Sequence, residues 1–132
     1  MGPSVSASKR SVKATILGQA CSKANSRRLV TIGGKPRFIK SKEALAFARA
    51  IEIQAPRLNE LLTGDLEFRA DIYYRSRRPD LDESIILDAL EGIWYANDRA
   101  VKSKVVRKYL DKDNPRCDVE VREIEWNEKG PD

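Results

Sequence analysis

The chain contains no histidine among its 132 residues. That absence excludes Ser-His and Cys-His nucleophile pairs, imidazole general bases and every histidine-containing metal site. Cysteine is almost as scarce. Cys21 and Cys117 are too few for an all-cysteine zinc site and too far apart for a redox pair, so they read as idle thiols of a reducing compartment. No apolar run approaches the roughly 18 to 20 residues of a membrane span, and the first residues lack the apolar stretch of a secretory signal. The expected location is the cytoplasm. Chemistry in this chain falls to carboxylates, to Lys and Arg, or to hydroxyls.

Acid is nearly missing from the first part of the sequence. Residues 1–50 carry eleven Lys and Arg against one acid, Glu43, whereas residues 51–132 carry fourteen against nineteen acids, so a net charge of +5 hides a basic arm joined to an acidic body. This division suggests a polyanion held by one region while carboxylates act in the other, although solvated surface charge has the same composition.

Residues 1–11, rich in Ser with Gly and Pro, are expected to form a flexible basic tail, residues 12–126 the domain, and residues 127–132 a C-terminal tail. Val12–Leu17 suits a first strand, followed by a polar basic loop over residues 19–28. Two β-prone runs, Leu29–Ile32 and Arg37–Ile39, flank Gly33-Gly34-Lys35-Pro36, the signature of a hairpin. Ala44, Leu45, Phe47, Ala48 and Ile51 then have helical spacing, with the start near residue 42, the end near Pro56, and Leu58, Leu61 and Leu62 as candidates for a last turn. From Asp65 the period changes to two: Leu66, Phe68, Ala70, Ile72 and Tyr74 point one way, the strand alternation of a half-buried sheet. A second helix is predicted around Ile85, Ile86, Ala89, Leu90 and Ile93 with Asp82 at its N-terminus, then a strand from Ala100 to Leu110 and a last strand from Cys117 to Trp126. Two helices with several strands and no repeated strand-helix-strand unit argue for a single α+β domain, a mixed or antiparallel sheet with two main helices packed on one face.

Asp80 and Asp82 are two positions apart. In an extended segment their side chains project to one side with Cα atoms about 6.5 Å apart. Such a pair suits a hard cation: Mg²⁺ favours one or two carboxylates and fills its other positions with water or phosphate oxygens. Arg77 and Arg78 place cations beside them, where a phosphodiester would lie. A polar turn capping a helix has the same residues. A second acidic point, Asn97-Asp98, follows across one helix, and Asp98 returns beside the strand that delivers Asp80 if the two strands are neighbours. Three carboxylates from two strand ends make a metal site suited to phosphoryl transfer. Asp88 on the polar helical face is a lesser candidate.

Arg78-Pro79-Asp80-Leu81-Asp82, Asp88-Ala89-Leu90 and Asn97-Asp98-Arg99-Ala100-Val101, in this order, resemble the core of the RusA family of Holliday junction resolvases. Ser22-Lys23-Ala24-Asn25-Ser26 and Lys40-Ser41-Lys42-Glu43-Ala44 also resemble phage-type members, so that the similarity spans roughly residues 14–126. The resemblance implies a small homodimeric endodeoxyribonuclease that resolves four-way junctions by paired nicks in DNA recombination and repair. It also implies Mg²⁺ as cofactor with Mn²⁺ as a substitute, and a phage or prophage origin in a bacterial host. By the same resemblance Asp80, Asp82 and Asp98 are catalytic and hold the metal. Asn97 replaces the first Asp of the family's Asp-Asp pair. The better-known members have Asn directly after the Asp-x-Asp and Lys four residues after its second Asp, where this chain has Glu83 and Ile86; Lys104, Lys108 and Arg78 are the candidates to replace that Lys.

Lys23, Arg27, Arg28, Lys40, Lys42, Arg77, Arg78, Lys104 and Lys108 are the candidate DNA-binding residues, because Lys and Arg on loops and hairpins are what backbone phosphates bind best. Only Phe38 interrupts the basic arm as an aromatic, so stacking on single strands is not the obvious mode. Trp94 and Tyr95, beside a helix end, are contact or core. The competing function is a non-catalytic basic DNA-binding module, which would bind junctions in a salt-sensitive way and never nick them.

Overall fold

The computed structural model describes residues 9–131. The first eight residues of the expected tail, and residue 132 of the C-terminal one, lie outside the described residues. The elements in chain order are β1 (Ser11–Leu17), β2 (Arg27–Ile32), β3 (Lys35–Lys40), α1 (Lys42–Gln54), β4 (Asp65–Tyr74), α2 (Ser84–Ala89), a 3₁₀ turn at Asp98–Ala100, β5 (Val101–Leu110) and β6 (Arg116–Ile124). Four strands form a mixed sheet in the order β1-β6-β4-β5, and β2 with β3 forms a separate two-stranded ribbon. The class is α+β.

Strand β4 organises the core. Leu66, Phe68, Ala70, Ile72 and Tyr74 are all buried, joined on the same side by Cys117, Val119 and Val121 of β6 and Ile16 of β1. Ala44, Phe47, Ala48 and Ile51 of α1 and Ile85 and Ile86 of α2 complete the apolar cluster. Helix α1 starts at Lys42, as its sequence pattern predicts, and Ser41 caps it: the Ser41 hydroxyl accepts the Ala44 amide at 3.1 Å, satisfying an N–H with no partner inside the helix. Trp94 and Tyr95 are fully buried and belong to the core, Trp94 Nε1 donating to the Pro56 carbonyl at 2.9 Å and Tyr95 Oη to the Leu87 carbonyl at 2.5 Å.

Three expectations change. The residues after Pro56 make no further helical turn; Leu62 instead donates to the Trp94 carbonyl at 2.8 Å and pairs in a short bridge with Tyr95. The second helix has only six residues, its N-cap is Glu83 rather than Asp82 and makes no side-chain hydrogen bond to the helix, and Leu87 is buried along with Ile85 and Ile86. The last strand ends at Ile124. A helix this short cannot hold itself by propensity, so its apolar residues hold it against α1 and the sheet.

The face of the sheet turned away from the helices is charged. Glu67 pairs with Arg122, Asp71 with Arg107 at 3.5 Å, and Arg116 with Asp111 at 2.8 Å while lying 3.9 Å from the Tyr73 ring. Arg10, just before β1, donates to the Glu60 and Leu61 carbonyls and reaches Glu123. Burial alone would raise the Glu123 carboxyl, but the Thr63 and Arg10 amides and the Arg10 charge outweigh it and hold the group below its ordinary value. Glu123→Ala is therefore expected to lower stability by about 2 kcal/mol at neutral pH, as charge-assisted hydrogen bonds are lost. A carboxyl held low in the folded state stabilises it fully above its unfolded value near 4.5 and loses that contribution as pH falls through the lower folded value. Urea denaturation at pH 7 and pH 3 should show the mutant deficit shrinking at the acid end.

Candidate functional site

Asp80 and Asp82 lie in the loop between β4 and α2. The course of that loop is marked by two lysines four residues apart on β5: Lys108 Nζ donates to the Arg77 carbonyl at 3.0 Å, and Lys104 Nζ pairs with Glu83 at 2.7 Å. Lys108 stands opposite Ile72 and Lys104 opposite Phe68, so after leaving the C-terminal end of β4 the chain runs back toward the N-terminal end of the strands. This return matters because β4 and β5 are neighbours but parallel. Parallel neighbours need a crossover, and Asp98, just before β5, enters at the opposite end of the sheet from where β4 delivers the loop. The strand adjacency on which the return of Asp98 depends is present, but its parallel sense puts Asp98 and the start of the loop at opposite ends of the sheet.

The two loop carboxylates sit in different surroundings. Asp80 is exposed, whereas Asp82 is 8% exposed. Asp82 Oδ1 accepts the Ser84 amide at 2.9 Å, which starts α2 as an Asx turn, and among the described residues the group has no ion-pair partner. It is the one buried charged residue of the described chain. A carboxylate out of water without a cation is costly, and a bound cation would offset that cost. Tyr74, whose Oη donates to the Asp80 carbonyl at 3.4 Å, has its phenol pushed up to about 12 by burial and by the Asp82 charge, and stays a neutral donor. Cys21 is raised by burial first and by the charges of Asp82 and Glu43, and burial pushes Cys117 up to about 12. Neither thiol is a nucleophile near neutral pH.

Asp98 is half-buried, and its amide donates to Glu91 Oε2 at 2.9 Å. Asn97 caps the turn that carries it, its Oδ1 accepting the Arg99 amide at 2.8 Å. Asn serves this cap as well as Asp would, so the departure at Asn97 preserves local structure. Burial and the charges of Asp98, Glu91 and Asp88 together hold the Tyr95 phenol above its ordinary range. Asp88 pairs with Lys40 at 2.6 Å, tying the base of the ribbon to α2. Among the described residues, no group of three or more Cys, Asp and Glu side chains is close enough to hold one ion. Asp80, Asp82 and Asp98 thus form no closed three-carboxylate cage. The donors nevertheless fit a hard divalent cation: all are carboxylate oxygens, one is buried without a counter-charge, and Mg²⁺ commonly takes one or two carboxylates with water and phosphate oxygens.

A groove of about 360 Å³ separates the ribbon from α2, lined by Arg27, Phe38 and Lys40 on one side and by Ser84, Asp88 and Asp98 on the other. A larger depression of about 570 Å³ lies on the helix-free face, among Lys13, Arg69, Asp71 and Asp118, away from the candidate carboxylates. Lys23, Arg27, Arg28, Lys42, Arg77, Arg78, Lys104 and Lys108 are all exposed. Lys40 is exposed too but engaged with Asp88, and Lys104 with Glu83. Ile86, where the resemblance places a Lys, is fully buried. The Lys40–Asp88 and Lys104–Glu83 pairs have no sign in the sequence, because unlike charges at these separations carry no local signal.

No helix of the described residues is long and apolar enough to cross a membrane. A comparison with curated proteins finds no match. The family model of endodeoxyribonuclease RusA matches residues 19–122, a span that includes the basic loop and ribbon, Asp80, Asp82, the crossover and Asp98. The chain belongs to the RusA endodeoxyribonuclease family, nucleases that act on branched DNA.

Proposed function

We propose that this chain is a Mg²⁺-dependent, structure-selective endonuclease that binds four-way DNA junctions as a homodimer and hydrolyses one phosphodiester in each of two opposed strands. The observation that carries the reading is Asp82, a buried carboxylate with no ion-pair partner among the described residues, in the loop that follows the exposed Arg77 and Arg78 and leads into Ser84 at the groove that holds Asp98. Asp80, Asp82 and Asp98 would hold the ion, with Asp88 less suited because Lys40 already neutralises it. When bound, the ion supplies an activated water and a Lewis acid for the phosphoryl oxygen. Arg77 and Arg78 bind the flanking phosphates. Lys104 takes the position of the cation that buried Ile86 cannot offer, Glu83 orienting its ammonium on the side of the sheet that carries the loop. Lys23, Arg27, Arg28 and Lys42 hold more distant phosphates, and Lys108 fixes the loop through the Arg77 carbonyl. Two symmetric nicks require two copies about a two-fold axis. Action in recombination and repair in a bacterial cytoplasm, from a phage or prophage gene, completes the reading.

In EDTA, the protein is expected to bind a synthetic four-way junction at least about tenfold more tightly than a linear duplex of the same sequence, and to run as a dimer in light scattering. Equal affinity for both DNAs would contradict structure selectivity. Lys104→Ala is expected to slow junction cleavage on the order of 10²-fold while binding in EDTA is unchanged, and Lys104→Arg to restore part of the rate. Unchanged cleavage kinetics would remove Lys104 from the site.

A further inference from the structure

The β2–β3 ribbon has a feature that phosphate binding does not use. Gly33 and Gly34, with φ of 58° and 78°, form the tight turn between its strands, and the register places Leu29 directly opposite Phe38. Phe38 is 72% exposed and Leu29 60%. Cross-strand partners share a face, and that face also carries Arg27, Lys40, Thr31 and Pro36. Arg27, Phe38 and Lys40 border the groove that contains Asp98, so this face of the ribbon is turned toward Asp98. The ribbon base is held by Ser41, whose amide donates to Ser26 O at 3.0 Å, and by Lys40–Asp88. Residues 31–38 beyond that base are all exposed.

An apolar pair this exposed is unfavourable unless something covers it. Its surroundings identify the occupant: residues 22–42 contain seven Lys and Arg and no acid, so whatever sits on Phe38 and Leu29 arrives attached to phosphates. The apolar surfaces of DNA are base faces. In a continuous duplex they are stacked on each other, whereas at a branch point the stack is interrupted and an apolar side chain can take the place of a missing neighbour. We propose that Phe38 and Leu29 form a wedge that stacks on the base faces opened at the branch, so that the ribbon selects branched over linear DNA while its Arg and Lys only hold phosphates. The wedge rests on the junction-binding reading above.

The test uses a four-way junction with 2-aminopurine at the crossover, in EDTA. The wild-type protein should raise the fluorescence as the base unstacks. Phe38→Ala should lose most of that rise and bind the junction about tenfold more weakly, with an unchanged salt dependence and unchanged affinity for linear duplex; Phe38→Trp should keep both signal and affinity. A full fluorescence rise with Phe38→Ala overturns the wedge alone. Dissociation of that variant to monomers in light scattering also overturns it, because the pair then covers a second copy of the chain. If the wild type shows no preference for the junction, the wedge and the junction reading fall together.

Discussion

Asp82→Asn is expected to abolish Mg²⁺-dependent cleavage of a four-way junction while leaving the fold at least as stable as before. Metal coordination is worth several kcal/mol of transition-state stabilisation, and each 1.36 kcal/mol is tenfold in rate, so the loss should be about 10³-fold or more. The stability half of the result distinguishes a functional from a structural carboxylate. Asn keeps the Oδ1 that accepts the Ser84 amide, so the Asx turn at α2 survives. It also removes a buried charge with no ion-pair partner, which relieves rather than creates a desolvation cost. Asp80→Asn and Asp98→Asn should give the same loss of cleavage. A large fall in thermal stability of Asp82→Asn with cleavage intact would assign the residue to structure instead.

Combined replacement of Lys23, Arg27 and Arg28 by Ala should weaken junction binding on the order of 100-fold, from about 1 kcal/mol for each exposed cation paired with a phosphate. The same variant should flatten the dependence of log K on log salt by about 0.9 for each phosphate that is no longer neutralised. All three are exposed and have no ion pair among the described residues, so the fold should be unaffected. Titrations of labelled junction between 50 and 200 mM salt measure both effects. A weaker affinity with an unchanged slope would place these residues away from the phosphates. The basic arm differs in this respect from the Phe38 pair, whose removal lowers affinity at constant slope.

The sequence carries the local parts of this fold because their signals are local. The alternation along β4, the glycine pair at positions 33 and 34, and Ser41 ahead of an apolar helical stripe each act within a few residues, and each element stands where its pattern puts it. What the sequence leaves open depends on long-range packing. The parallel pairing of β4 and β5 follows from the crossover between them, so the placement of Asp98 at the far end of the sheet had no local sign. The short α2 reflects residues after Ala89 that turn away to bury Trp94 and Tyr95 in the core. In the candidate site, the spacing and the family resemblance single out the candidate carboxylates, but their environments were not legible in the sequence. Asp80 and Asp82, two positions apart, differ in exposure: Asp82 is buried, its charge felt by Tyr74 and Cys21, whereas Asp80 is exposed. The exposure of Leu29 across from Phe38 was equally invisible before the register was known.

The most direct measurement follows the strands of a four-way junction, each labelled in turn, on a denaturing gel after incubation with the wild-type protein in Mg²⁺ or in EDTA. Nicks are expected at symmetric positions in two opposed strands with Mg²⁺, none in EDTA, and none on a linear duplex of the same sequence. Tight, salt-sensitive binding with no nick in Mg²⁺ or Mn²⁺ would contradict this expectation and leave a DNA-binding protein whose carboxylates serve structure alone.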